Sequence, residues 1–140
     1  MFKIKTIHHM GLPVNDMERA KRFYTEVLGM QCVGVSADVD TGSLYKEAIG
    51  DYPLLARLVM KEGGELVLFQ RPKSLERGEF EDGTSHMSFE LAKEDFATAV
   101  ADLKKAGVKI MYEDSFREDS GRSIYFFDPE GNYLQIHTPL

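Results

Sequence analysis

The chain carries four histidines, His8, His9, His86 and His137, and a single cysteine, Cys32. Imidazole is the commonest metal-binding side chain and titrates near neutrality, so each of the four is a candidate ligand or proton carrier. No His-x-x-His or Cys-x-x-Cys occurs, and any metal site must therefore be assembled from distant parts of the chain. The last histidine lies in RSIYFFDPEGNYLQIHTPL, residues 122–140. This stretch reads as two short strands, 123–127 and 132–137, joined by a turn at Asp128-Pro129-Glu130-Gly131. Alternation along the second strand puts Tyr133, Gln135 and His137 on one face. A phenol, an amide and an imidazole suit a cavity wall, although solvent exposure is the commoner fate of such a face on a lone strand. His9, His86 and Gln135 could form three corners of an open metal site, leaving positions for water or substrate. Hydrogen-bonded structural histidines are the other reading, and the more frequent one for so diffuse a pattern. Tyr133 and His137 are the candidate catalytic acids or bases. Glu90 shares a strand face with His86 and Ser88 and offers a carboxylate, unless it is simply solvated.

These groups need elements to hold them. Residues 5–14 read as a strand, with Ile7, His9, Gly11 and Pro13 facing one way. Asn15-Asp16 is a natural helix start. Met17, Ala20, Phe23, Tyr24, Val27 and Leu28 recur at helical spacing up to Gly29. Strands follow at 30–35, 52–60 and 65–70, separated by a lid-like excursion over 36–51 with a short helical turn at 44–49. Residues 71–83 are polar and without periodicity. Beyond them come a strand at 84–91, an amphipathic helix at 95–106, a strand at 108–112, a loop at 113–121 and the closing hairpin.

The two halves repeat. HMGLPV begins at His9 and HMSFEL at His86, and each leads through a polar step and an amphipathic helix to a glycine, Gly29 or Gly107. The shared order of elements points to duplication. The expected fold is α+β: two paired βαβββ modules, 1–70 and 84–140, joined by a linker over 71–83. Neither module could bury a sheet face alone, so the two are expected to form a half-open barrel around a cavity, helices outside. Duplication also places the first strands equivalently, which would bring His9 and His86 together.

Net charge −6 and a pI near 5.2 argue against a nucleic-acid surface, which needs a basic patch. One cysteine forms no internal disulfide and fits a reducing compartment. No apolar run approaches the roughly 18 residues of a membrane span. MFKIKTIHHM lacks the apolar stretch of a secretory signal. The expectation is a cytoplasmic protein whose partner is a small molecule, with no nucleic acid and no membrane.

HHMGLPVNDMERAKRFYTEVLGM, SHMSFELAKEDFATAVADLKKAGV and RSIYFFDPEGNYLQI together resemble the vicinal oxygen chelate superfamily. That group includes glyoxalase I, extradiol dioxygenases, methylmalonyl-CoA epimerase, and fosfomycin-resistance and bleomycin-binding proteins. The resemblance implies paired βαβββ modules, commonly a homodimer, and usually a divalent metal ion (Fe, Mn, Ni or Zn). Ligands in that family come from the first strand of each half and from the last strand. His9, His86 and Gln135 match those positions. Two places that often carry glutamate hold Val67 and Gln135 instead, which disfavours glyoxalase I chemistry. The tail is also similar to that of fosfomycin thiol transferases. That likeness implies that Arg122, Ser123 and Tyr125 contact an anionic group on the substrate. Gly11 stands where those enzymes often carry a hydroxyl or thiol, which counts against the same reaction. The resemblance thus implies a metal-dependent enzyme acting on a small oxygenated, anionic molecule chelated to the metal. Lysis, isomerisation, thiol transfer and ring-cleaving dioxygenation all stay open. The alternative is a non-catalytic, antibiotic-type binding protein of the same fold.

Overall fold

The computed structural model describes residues 1–39, 50–76 and 85–140. The helical turn expected at 44–49 and most of the lid-like excursion and linker lie outside these residues. The chain divides into two compact units, Met1–Leu75 and Glu76–Leu140.

The first unit runs β1 (Met10–Val14), α1 (Met17–Arg22), β2 (Gln31–Val39), β3 (Tyr52–Val59) and β4 (Glu65–Gln70). Its sheet has the order β1-β4-β3-β2. β1 pairs with β4 in parallel, and the other neighbours are antiparallel. The second unit runs β5 (Met87–Glu90), α2 (Phe96–Lys105), β6 (Ile110–Arg117), β7 (Gly121–Phe127) and β8 (Tyr133–Thr138). Its order is β5-β8-β7-β6, with β5 and β8 parallel. Both units are therefore βαβββ modules of the same topology, each an open four-stranded mixed sheet. The α+β architecture and the internal duplication read from the sequence are present.

In the first unit Asp16 caps α1 by accepting from the Arg19 amide at 2.9 Å. The helix then widens into a π-helical turn over Phe23–Val27 before Gly29, at φ 71°, ends it. Met17, Ala20, Phe23 and Tyr24 are buried, and α1 packs on β3 and β4, where Ala56, Leu58, Leu66 and Leu68 are sealed from solvent. Asn15 does not cap. Its Oδ1 accepts from Arg71 Nη1 and the Leu75 amide, each at 3.0 Å, and its Nδ2 donates to the Leu75 carbonyl at 2.8 Å. It pins the segment leaving β4.

Alternation sorts the second sheet in the same way. Ile124, Phe126, Leu134 and Ile136 form the buried face. That face looks towards α2, because Arg122, one alternation from Ile124, lays its guanidinium over the Phe96 ring, 4.6 Å from the centroid. The opposite face carries Ser123, Tyr125 and Phe127 of β7 beside His137, Gln135 and Tyr133 of β8.

The hairpin turn is fixed by one carboxylate. Asp128 is buried, and its Oδ1 accepts from the Glu130 and Asn132 amides at 2.9 and 2.8 Å. Its Oδ2 accepts from Asn132 Nδ2 at 2.8 Å. Gly131, at φ 81°, closes the turn. Asp128→Ala strands buried amides, and an unmade hydrogen bond to a buried group costs about 1–3 kcal/mol. The expected loss is about 2–4 kcal/mol by urea unfolding, with Asp128→Asn losing less because it keeps an acceptor.

Several boundaries differ from the sequence reading. The strand expected to end at residue 35 runs to Val39, because β3 pairs with it that far, so 36–39 belong to β2 and not to the lid-like excursion. Strands were expected to begin at residues 5 and 84, but β1 begins at Met10 and β5 at Met87. The neighbouring strands start only at Glu65 and Tyr133, so earlier residues have no ladder partner. Conversely, the loop expected at 113–121 is mostly strand, because β6 continues to Arg117 as the sheet edge. An edge strand tolerates the charges that made the stretch look like a loop.

Candidate functional site

His86 lies one residue before β5 and so continues its exposed side beside β8. Its Nε2 is 3.0 Å from Gln135 Oε1. The other end of that amide, Nε2, donates to Ser123 Oγ at 2.7 Å. Ser123 Oγ in turn is 3.1 Å from His137 Nδ1. Strand register explains the chain of contacts: Ser88 sits opposite Gln135, Tyr125 opposite Gln135 on the other side, and Ser123 opposite His137. Four polar side chains from three elements thus form one continuous row on the face away from α2.

Aromatic rings wall the row. Tyr133 and Tyr125 stack at 5.9 Å between centroids, and both meet the His86 ring edge-on, at 5.7 and 6.1 Å. Tyr112 and Phe127 extend the wall. Phe127 follows from the same alternation as Ser123 and Tyr125, whereas Tyr112 joins only through the pairing of β6 with β7. Burial pushes the Tyr133 phenol above its ordinary value, and the Tyr125 and Tyr112 phenols add to the shift. Tyr133 is therefore a neutral donor at physiological pH, an acid rather than a base. Because its folded-state value is raised, the stabilisation it brings is complete below pH of about 10, the ordinary tyrosine value, and is lost as pH climbs through the raised one. Absorbance titration near 295 nm should show a late-ionising tyrosine that disappears in Tyr133→Phe; an unchanged late transition would contradict the assignment.

Arg122 does not join this row. It was grouped with Ser123 and Tyr125, but neighbouring residues of a strand point to opposite faces. Its guanidinium lies on the α2 side, with Nε donating to Asp114 Oδ1 at 2.9 Å and Nη2 to Asp114 Oδ2. This pair holds the Asp114 carboxyl below its usual range. Glu90 is exposed and sits opposite His137 in the β5–β8 register.

His9 belongs to the first unit, one residue before β1, and is exposed. Its Nδ1 is 2.9 Å from His8 Nδ1. Nearby, Glu65 takes a bidentate ion pair from Arg57, at 2.6 and 2.8 Å. Arg57 holds the Glu65 carboxyl below its usual range, with smaller contributions from His8 and His9. The two registers make Gly11 the counterpart of Ser88, and Val67 the counterpart of Gln135. Val67 is buried and offers no donor.

Among the described residues, no three His, Cys, Asp or Glu side chains are grouped to hold a metal ion. The second unit instead offers one imidazole nitrogen and one amide oxygen. Their 3.0 Å separation suits a hydrogen bond. It also suits two donors of one ion at about 2.1 Å from each, at a right angle. Imidazole nitrogen and carbonyl oxygen are both competent ligands for divalent ions, so the pair fits one, with less charge than a carboxylate would bring. No helix among the described residues is long and apolar enough to cross a membrane.

Duplicated βαβββ units with a polar row on the last strand define a class, and the comparisons agree. The chain belongs to the Glyoxalase/Bleomycin resistance protein/Dioxygenase superfamily, whose family model it matches over residues 6–136. It is 29% identical over 135 residues to the glutathione transferase FosA of Serratia marcescens, covering 96% of this chain and 82% of that one. The crystal structure of a glyoxylase/bleomycin resistance protein/dioxygenase domain from Frankia sp. EAN1pec superposes with a TM-score of 0.78. It is 21% identical, covering 99% of this chain and 94% of that one. A mutant of the fosfomycin resistance protein FosX from Listeria monocytogenes, complexed with Mn(II) and 1S,2S-dihydroxypropylphosphonic acid, superposes at 0.74. It is also 21% identical, covering 99% and 95%.

Proposed function

We propose that the chain is a metal-dependent enzyme acting on a small, oxygenated anion, with a phosphonate the favoured class and Mn(II) the first metal to try. His86 and Gln135 are the metal-facing pair of the second unit. The observation that supports this most is the 3.0 Å approach of His86 Nε2 to Gln135 Oε1 on a face walled by tyrosines. The FosA and FosX relatives point to the phosphonate. When bound, a divalent ion there supplies a positive charge that holds substrate oxygens and draws electron density from them. The neutral Tyr133 phenol donates a hydrogen bond to the anion, and Tyr125 offers a further hydroxyl. His137 is the group able to take up or release a proton. Arg122, engaged with Asp114 on the other face, has no part in this reading.

A second reading is a binding protein of the same fold without catalysis. What favours it is that both ends of the Gln135 amide already have protein partners, His86 and Ser123. Phosphorus NMR of fosfomycin incubated with the protein and Mn(II), with and without glutathione, separates the two. A new phosphonate resonance that needs Mn(II) supports the enzyme, and its dependence on glutathione tells thiol addition from other outcomes. Fosfomycin that is not converted but that the protein binds by calorimetry without Mn(II) supports the binder. Absence of both conversion and binding contradicts the phosphonate assignment.

A further inference from the structure

The amide of Gln135 is unsymmetrical, and a carboxylate in its place would not be. Only the carbonyl end can serve a cation, so the residue works as a ligand in one of its two orientations. In the structure that end faces His86, and the NH2 end donates to Ser123 Oγ at 2.7 Å. Ser123 is buried, and its hydroxyl also lies 3.1 Å from His137 Nδ1. A hydroxyl has one proton to give and two lone pairs. If Ser123 donates to His137 Nδ1, that proton is committed and Ser123 can only accept from Gln135. The amide must then keep its NH2 towards Ser123 and its oxygen towards His86. If His137 instead carries its proton on Nδ1, Ser123 is free to donate to Gln135 and the amide can turn round. The tautomer of His137 is thus tied to the orientation of a side chain that it does not touch.

We infer that Ser123 and His137 act as positioning residues, a relay that holds the Gln135 carbonyl towards His86 and so makes an amide usable as a metal-facing group. The functional meaning rests on the proposed metal site, but the orientation itself does not require a metal. Without metal, the oxygen of Gln135 faces the His86 ring, so His86 Nε2 carries the proton, and His137 carries its proton on Nε2. With metal, the carbonyl stands ready and no amide rotation is needed. Supporting groups of this kind change metal affinity by about 10- to 100-fold when removed.

Two measurements test it. Long-range 1H–15N spectra of the metal-free protein at a pH where both rings are neutral should show His86 and His137 as Nε2–H tautomers. Ser123→Ala should change the His86 tautomer ratio and the Gln135 side-chain amide signals. His86 or His137 found mainly as the Nδ1–H tautomer, or a Ser123→Ala protein with unaltered His86 and Gln135 signals, overturns the relay. Mn(II) titration then gives the functional readout. Ser123→Ala should weaken binding about tenfold in the natural background and by less than about twofold when combined with Gln135→Glu, which has no wrong end to present. Equal losses in both backgrounds would mean that Ser123 acts by some other route, and the relay fails. If the spectra are as expected but neither the natural chain nor Gln135→Glu binds Mn(II), the relay stands and the metal reading falls.

Discussion

Gln135→Glu is expected to bind Mn(II) about 10- to 100-fold more tightly than the natural chain, as each added ligand charge strengthens a hard-cation site. Each factor of ten corresponds to about 1.4 kcal/mol, well within what one charge contributes at contact distance in a half-buried setting. The substitution is close to isosteric, and the neighbours can follow it. Ser123 Oγ, which accepts from the amide at 2.7 Å, can reverse its proton and donate to a carboxylate. His86 Nε2, 3.0 Å away, can likewise donate in the metal-free state. Affinity should therefore rise without loss of thermal stability, by calorimetric titration alongside a melting curve. Unchanged or weaker Mn(II) binding in a well-folded Gln135→Glu protein would remove Gln135 from the ligand set.

Gly121→Ala is expected to be the most damaging small substitution, at more than about 4 kcal/mol, in the range reserved for a named steric cause. Gly121 opens β7, is buried, and holds φ at +117°. Side chains avoid that region, and the backbone strain alone costs of order 1–3 kcal/mol. A Cβ there would also run into the Thr138 carbonyl oxygen, with Pro139 C at 3.0 Å and Leu140 N at 3.2 Å. These are backbone atoms at and just beyond the end of the strand that carries Gln135 and His137, so relief would shift the site itself. Gly64→Ala is the control. It has φ +89°, but its nearest obstacle is the end of the flexible Met60 side chain. Urea unfolding should show Gly64→Ala folded and moderately destabilised, and Gly121→Ala largely unfolded. A Gly121→Ala loss below about 1 kcal/mol would contradict the packing described for this corner.

Much of the architecture was legible because it is local and repeated. The glycines that end each helix, Gly29 and Gly107, take positive φ as their positions after helical runs imply. The DPEG turn signal located β7 and β8 to within two residues, and β4 begins and ends as read. What failed depends on partners distant in sequence. The starts of β1 and β5 are set by where β4 and β8 begin, which no property of residues 5–9 reveals. The edge position of β6, which makes Glu113 and Asp114 strand residues, is likewise a matter of sheet order. Lys104 shows the same limit: its place at a helix end suits the helix dipole, yet its ammonium also meets Glu113 at 2.8 Å. Arg122 is different, because period-two alternation alone separates it from Ser123 and Tyr125.

Of the site, the shared face of Tyr133, Gln135 and His137 could be read from alternation. The grouping of His86 with Gln135 is an expectation of duplication and family likeness and not of local pattern, because the contact crosses 49 residues and depends on the parallel pairing of β5 with β8. The amide-to-serine bond was also hidden, since it needs the β7–β8 register.

Calorimetric titration of the purified, chelator-stripped chain with Mn(II), beside His86→Ala, bears most directly on the central claim. One ion per chain is expected, with affinity lowered at least about 100-fold in the variant, the upper part of the range for losing a group that supports a metal. A natural chain that takes up no Mn(II), or takes it up equally well without His86, would contradict the account.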